Sequence, residues 1–296
     1  MMCTALKYKH TMGRNFDYEE SYQEQIIRIE ANQYNNEYDI IGMATGLVRD
    51  YPLMYDGMNS HGLCVAGLAF EGNAKYNRYM EDKMNVPAFD LTFYLLGHFK
   101  NCDEVEEFIK SLNIWCEPYS DEFPNSDLHW FVCDRNRSLV IEQTKLGLHC
   151  FYAKEGVLTN NPPYLAMTEE YQFQREFLGE EGLSWAKTSW QSRGLDTNGL
   201  SGSYLSTDRF ERAAFLKEKL ENADGATNFS VDANTFHLLS NVEQIYGATS
   251  VGDKYEYTIY SIVYDMDTLK AYIKTYNGLE YDLFSLTDTT LERWTI

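Results

Sequence analysis

The sequence predicts an α+β domain built in layers. Three observations point there: strand-like runs gather in an N-terminal and a central block, helical patterns gather in blocks of their own, and no βαβ alternation links them. The 296 residues hold only six prolines. They show no Pro/Ser/Gly-rich linker, internal repeat or low-complexity tract, so one domain over residues 3–296 is expected.

The elements follow in order. Thr4 to Tyr8 is a short strand, and a returning strand is expected through Arg14. Gln25 to Ile29 is β-branched, and Asp39 to Val48 is a longer apolar run. Pro52 to Met58 and Leu63 to Phe70 flank Asn59-Ser60-His61-Gly62, turn formers between two apolar runs and hence a hairpin signal. Ala88 to Phe99 is apolar at helical spacing. Asp103 is the expected N-cap of a helix over Glu104 to Leu112, with acidic residues in its first turn. Leu128 to Cys133, Ser138 to Thr144, Leu148 to Tyr152 and Gly156 to Thr159 form a second strand block. Tyr164 to Leu178 is expected to be helical. Glu180 to Ser206 is polar and glycine-rich, a long excursion of the kind that walls a site. Asp208 to Leu220 and a segment capped by Asp232 and running to about Ile245 are helices. Tyr257 to Tyr264 and Leu269 to Thr275 close the chain as a hairpin.

Charge excludes several partners. Asp plus Glu number 45 against 25 Lys plus Arg, a formal charge of −20. Such a surface repels phosphate backbones and anionic membranes, so neither nucleic acid nor a membrane is an expected partner. No apolar run approaches the ~20 residues that span a bilayer. Met-Met-Cys-Thr-Ala-Leu-Lys-Tyr-Lys-His has no apolar signal region, so a cytoplasmic location is expected. The six cysteines contain no CxxC pair, and in a reducing compartment the expectation is six free thiols. The 23 Tyr and 16 Phe suit a cleft lined with surfaces that are apolar on one side and polar at the tip.

Known chemical signatures are mostly missing. There is no GxGxxG after a strand, no GxxxxGK[ST] and no HExxH. His61 and Cys64 stand at a metal-like spacing, but two further ligands are lacking, so no metal and no organic cofactor is expected.

What stands out is Cys3. A cysteine so near the start can become the N-terminal residue, carrying a thiol nucleophile and an α-amine together. That amine titrates near ~8, so a fraction is neutral at physiological pH and can act as base. Eleven residues on comes Arg14, then Asp17, within Gly13-Arg14-Asn15-Phe16-Asp17. A guanidinium beside the sulfur favours thiolate, and a carboxylate can hold the amine.

Further motifs extend along the chain: Asp56-Gly57-Met58-Asn59 with Gly62-Leu63, Ala66-Gly67-Leu68, Leu128-His129-Trp130, Ile141-Glu142-Gln143-Thr144, Val157-Leu158-Thr159-Asn160, and Arg209-Phe210 before Arg212-Ala213-Ala214-Phe215. In this order, from Met2-Cys3-Thr4 to about Thr275, the sequence resembles the choloylglycine hydrolase family, the bile salt hydrolases and penicillin V acylases among the N-terminal-nucleophile hydrolases. The resemblance implies a four-layer αββα sandwich of two antiparallel sheets between helical layers. It places the nucleophile on Cys3 and the residues near its sulfur and amine on Arg14 and Asp17. The oxyanion asparagine falls on Asn160, a second active-site arginine on Arg209, and a backbone oxyanion donor on Ala69. His129 and Glu142 match the family motifs and are read as structural. Where the family usually carries Asn or Tyr, this chain has Ala69, which keeps the N–H and loses a substrate-facing side chain.

The implied activity is amide hydrolysis through a thioester on Cys3, with a small N-acyl amide as substrate. Conjugated bile salts are favoured because a steroid suits an aromatic cleft. The alternatives are penicillin V, N-acyl homoserine lactones or lipopeptides as substrates, or a catalytically silent member that binds acyl or steroid ligands. The resemblance also implies a homotetramer. The mechanism needs both Met1 and Met2 to be absent from the active form, since Met2 blocks the amine.

Overall fold

A computed structural model describes residues 2–48, 50–177, 197, 199–223, 228–291 and 293–296. The chain opens with β1 (Met2–Tyr8) and β2 (Thr11–Tyr18). Lys9, at φ 52°, supplies the left-handed residue of their two-residue turn. That turn sets the register, pairing Cys3 with Phe16 and Ala5 with Arg14.

Next come β3 (Gln25–Ile29), β4 (Ile40–Ala44), β5 (Met54–Asn59) and β6 (Cys64–Ala69). The expected hairpin lies between the last two. Asn59 Oδ1 accepts from the His61 and Leu63 N–H groups, and Gly62 takes φ +80°. The same side chain donates to Leu96 O and Phe99 O, docking the next helix on the hairpin. Then follow β7 (Met84–Pro87), α1 (Leu91–His98), α2 (Cys102–Ile109) and β8 (Leu112–Trp115). The N-cap of α2 is Asn101, whose side chain accepts from Glu104 N, and not Asp103. Leu112 belongs to β8, which pairs in parallel with β7. Both strands escaped sequence reading because they are short.

The central block holds β9 (Leu128–Cys133), β10 (Ser138–Thr144), β11 (Gly147–Tyr152) and β12 (Val157–Leu158). After α3 (Tyr164–Phe177), the expected Glu180–Ser206 excursion lies largely outside the described residues. It is followed by α4 (Ser206–Ala223) and α5 (Val231–Ser240), the latter capped by Ser230 where Asp232 was expected. The tail forms β13 (Thr249–Val251), β14 (Lys254–Asp265), β15 (Lys270–Thr275), β16 (Asp282–Ser285) and β17 (Arg293–Thr295). The β14–β15 hairpin is as expected, but it does not end the chain: β16 extends one sheet and β17 the other.

Among the described residues the strands make two antiparallel sheets besides the parallel β7–β8 pair. One runs β12-β1-β2-β14-β15-β16, with β13 on β14; the other runs β11-β10-β9-β6-β5-β4-β3-β17. Their facing surfaces share one core that joins Ala5, Met12, Phe16 and Ile262 of the first sheet to Ile41, Met58, Leu68 and Phe131 of the second. Helices α1 and α2 cover the far face of the second sheet through Val65, Leu95, Val105, Trp130 and Ile141. Helix α5 packs on β2 and β14, where a Cβ at Gly13 would collide with Thr235 and Leu239, so only glycine lets that helix approach. The result is the expected αββα sandwich.

Candidate active site

The β1–β2 register decides where the side chains go. Residues alternate across a strand, so Arg14 and Phe16 face the second sheet with Cys3, while Gly13, Asn15 and Asp17 face the helix layer. Arg14 is the diagonal neighbour of Cys3, and its Nη2 lies 3.6 Å from Cys3 Sγ. The same nitrogen donates to Gly67 O at 2.8 Å, just past the point where β5 stops pairing with β6. Its Nη1 donates to Asp56 Oδ2 at 2.5 Å. Asp56 is fully buried and also accepts from Tyr260 and Tyr264, each hydroxyl at 2.6 Å. Sequence reading noted Asp56 only as a motif letter. The available signal was two tyrosines four apart on β14, both of which converge on its carboxylate.

Cys3 is 0% exposed, packed in the shared core with Met2 ahead of it. Burial pushes its thiol up, and the nearby Arg14 charge, which acts in the expected direction, does not overcome that. Hence the guanidinium alone does not make a resting thiolate. The Cys3 N–H donates to Asn160 Oδ1 at 2.7 Å, and the Met2 N–H donates to Glu256.

Asp17 occupies the opposite face of β2. Its carboxylate accepts from Thr258 Oγ1 (2.6 Å) and Gln244 Nε2 (2.8 Å), and Arg209 Nη1 stands 3.9 Å away. Burial raises its pKa, and Arg209, Thr258 and Gln244 oppose the rise. In this structure the partner of the Cys3 nitrogen is therefore Asn160, while the Asp17 backbone N–H faces the sulfur.

Arg209, in the first turn of α4, is 0% exposed. Its Nη1 donates to Cys3 O (2.6 Å) and Thr4 Oγ1 (2.8 Å), its Nη2 to Asn160 Oδ1 (2.8 Å) and its Nε to Tyr204 O (3.0 Å). All three nitrogens are committed to the protein. A cation at a helix start, oddly signed for the helix dipole, is explained by these acceptors. The side chain is a clamp between β1 and the loop bearing Asn160.

Asn160 follows β12 and is anchored by its N–H to Ser206 Oγ at 2.8 Å. Two donors converge on its Oδ1, so its amide nitrogen faces the other way and donates to Ala69 O at 2.9 Å. The ladder orients Ala69. Phe70 N–H donates to Asp127 O, so in the alternating antiparallel pattern Ala69 turns its N–H and C=O away from β9, toward Asn160.

A cleft of about 430 Å³ reaches this cluster only at Arg14 and Gly67, and its volume is within the span of about 300–1,000 Å³ common for small-molecule sites. Arg14 and Gly67 line it, and Phe16, Tyr18, Tyr22, Tyr55, Phe89, Tyr119 and Phe123 make its walls aromatic.

A buried thiol, a backbone nitrogen of the same residue held by an asparagine, and a backbone N–H beside that asparagine are the groups that acyl transfer from an amide calls for. The chain belongs to the choloylglycine hydrolase family of linear amide C–N hydrolases, whose model matches residues 1–295. It is 40% identical to a bile salt hydrolase/transferase of Lactiplantibacillus plantarum (98% of this chain, 94% of that protein). It is 32% identical to a bile salt hydrolase/transferase of Clostridium perfringens, with the same coverage. Among solved structures, a variant of the conjugated bile acid hydrolase from Clostridium perfringens superposes with a TM-score of 0.87 at 30% identity, covering 100% of this chain and 96% of that one.

Proposed function

We propose that this enzyme hydrolyses the amide bond of conjugated bile salts, with Cys3 as an N-terminal nucleophile and residues 3–296 acting as one catalytic domain. The observation that carries the reading is the convergence of Arg14, Asn160 and Arg209 on the three parts of Cys3: sulfur, nitrogen and carbonyl. With Met1 and Met2 removed, the Cys3 α-amine takes the thiol proton and Sγ attacks the amide carbonyl, forming a C–S bond. The carbonyl oxygen becomes an oxyanion that accepts from the Ala69 N–H and from the Asn160 amide, whose nitrogen has a second hydrogen besides the one given to Ala69 O. The protonated amine returns its proton to the leaving nitrogen as the C–N bond breaks. Water then adds to the thioester, its proton goes to the amine, and the acid leaves with Cys3 regenerated.

Arg209 acts as a positioning residue and makes no salt bridge to substrate. Asp17 pairs with Arg209 and ties β2 to Thr258 of β14 and to Gln244. Arg14 orients the sulfur and floors the cleft, and no cofactor or metal has a part in this scheme. The aromatic walls support a steroid acyl group. We also propose a cytoplasmic homotetramer by family resemblance; no helix among the described residues is long and apolar enough to cross a membrane, and sedimentation tests the assembly.

Intact mass before and after iodoacetamide, paired with hydrolysis of glycocholate, taurocholate and penicillin V, tests the function. The expected result is an active form beginning at Cys3, alkylated there, that deconjugates both bile salts. An active form carrying Met2 would defeat the mechanism, and failure on both bile salts would defeat the substrate.

A further inference from the structure

His129 and Glu142 stand outside the site just described, yet they touch its frame on two sides. His129 is 0% exposed and lies on β9 opposite Leu68 of β6. Its Nε2 is 2.9 Å from Thr159 O, the carbonyl immediately before Asn160. A carbonyl only accepts, so that nitrogen carries a proton. Its Nδ1 is 3.1 Å from Glu142 Oε1, which also accepts the Tyr164 N–H at the start of α3. The imidazole lies flat on Phe70, with ring centroids 4.3 Å apart and an interplanar angle of 9°. Phe70 directly follows Ala69. One buried ring therefore braces the residue before Asn160 and the residue after Ala69, the two groups assigned to the oxyanion.

We propose that His129, oriented by Glu142, is the positioning residue that sets the spacing between the two oxyanion donors. This rests on the cysteine-amidase reading above. Neither side chain reaches the cleft, so the pair acts only through Thr159 and Phe70. Oxyanion donors work when they are fixed in place before charge develops, and removing a single donor costs roughly 10²–10³ in kcat. Loosening this brace should therefore slow the chemical step. Substrate binding and the reactivity of the sulfur should stay as they are.

The test uses the processed enzyme and the variants His129→Leu, His129→Gln and Glu142→Gln. Three quantities are read for each: kcat and KM on glycocholate, the rate of Cys3 alkylation by iodoacetamide, and the affinity of the aldehyde derived from cholic acid. The sulfur adds to that aldehyde, with the thiol proton passing to the new oxygen, so its affinity reports the oxyanion pocket directly. His129→Leu is expected to lower kcat and aldehyde affinity together by roughly 10²-fold, with KM and alkylation within about twofold of wild type. His129→Gln keeps an N–H donor and should recover part of the loss; Glu142→Gln should lose roughly tenfold. If His129→Leu does not fold, the other two carry the test. Folded variants with unchanged kcat and aldehyde affinity, or a loss confined to KM or alkylation, would overturn the proposal. Absence of turnover and of Cys3 alkylation in the wild type would instead overturn the reading beneath it.

Discussion

Arg14 and Asp17, three residues apart on one strand, work on opposite faces of the sheet. Arg14 reaches between the sheets to Cys3 Sγ and Asp56. Asp17 points into the helix layer, to Gln244 and the guanidinium of Arg209. One strand thereby supports the sulfur from inside and the backbone of Cys3 from outside. The two residues should fail in different ways when changed.

Asp17→Asn should cost activity and spare the fold. Burial raises the Asp17 pKa, so folding favours its protonated form. The penalty for burying its charge is absent below about pH 4, where folded and unfolded chains are both protonated, and is complete above the folded-state value. Relative to wild type, the melting temperature of the variant should therefore be more favourable at pH 8 than at pH 4, while kcat falls. A relative stability that declines toward pH 8 would contradict this.

Arg14→Met strips the charge from the Asp56 cluster. It leaves a buried carboxylate held by two tyrosine hydroxyls only. Breaking one partner of a buried pair costs about 3–5 kcal/mol. Replacing Asp56 as well removes the stranded charge, so Arg14→Met/Asp56→Asn should be less destabilised than Arg14→Met alone in a urea titration. Equal or greater loss in the double variant would show that the charge is not what matters.

The thiol predicts a contrast between two forms of the chain. In protein that retains Met2, Cys3 is fully buried and its thiol is pushed up by burial. Thiolate is the reactive species, so iodoacetamide should react slowly at pH 7 and faster as pH rises past the ~8.5 of an ordinary cysteine. Protein beginning at Cys3 has an amine to take the proton and should react faster at pH 7. Equal rates in the two forms would remove the role given to the amine.

Glu122 is an exposed carboxylate that lines the cleft among its aromatic walls, with Arg14 also in the lining. Glycine and taurine conjugates are anions, so Glu122→Lys should lower KM by roughly two- to fourfold at low ionic strength, with the gain lost near ~0.5 M salt. A salt-independent change would point to packing instead.

Local signals in the chain determined a good deal. The boundaries of β3, β9 and β10 were legible because β-branched and apolar runs end at turn formers. Cys3 drew attention through its position, and Asn160 and Arg209 through motifs in family order. Two helix caps were missed by two residues each because several polar side chains near each start can cap, and packing selects among them.

Only the tertiary structure decided the partnerships. A bulge between Thr258 and Tyr260 lets two residues two apart on β14 pair with Asp17 and Phe16, which face opposite ways. Thr258 thus serves Asp17, and Tyr260 serves Asp56, 204 residues away along the chain. Such contacts depend on register, twist and the stacking of two sheets, which no local window of sequence carries. Residue type and short-range periodicity therefore specified most of the strands and singled out Cys3, whereas long-range pairing chose which buried charges and hydroxyls surround it.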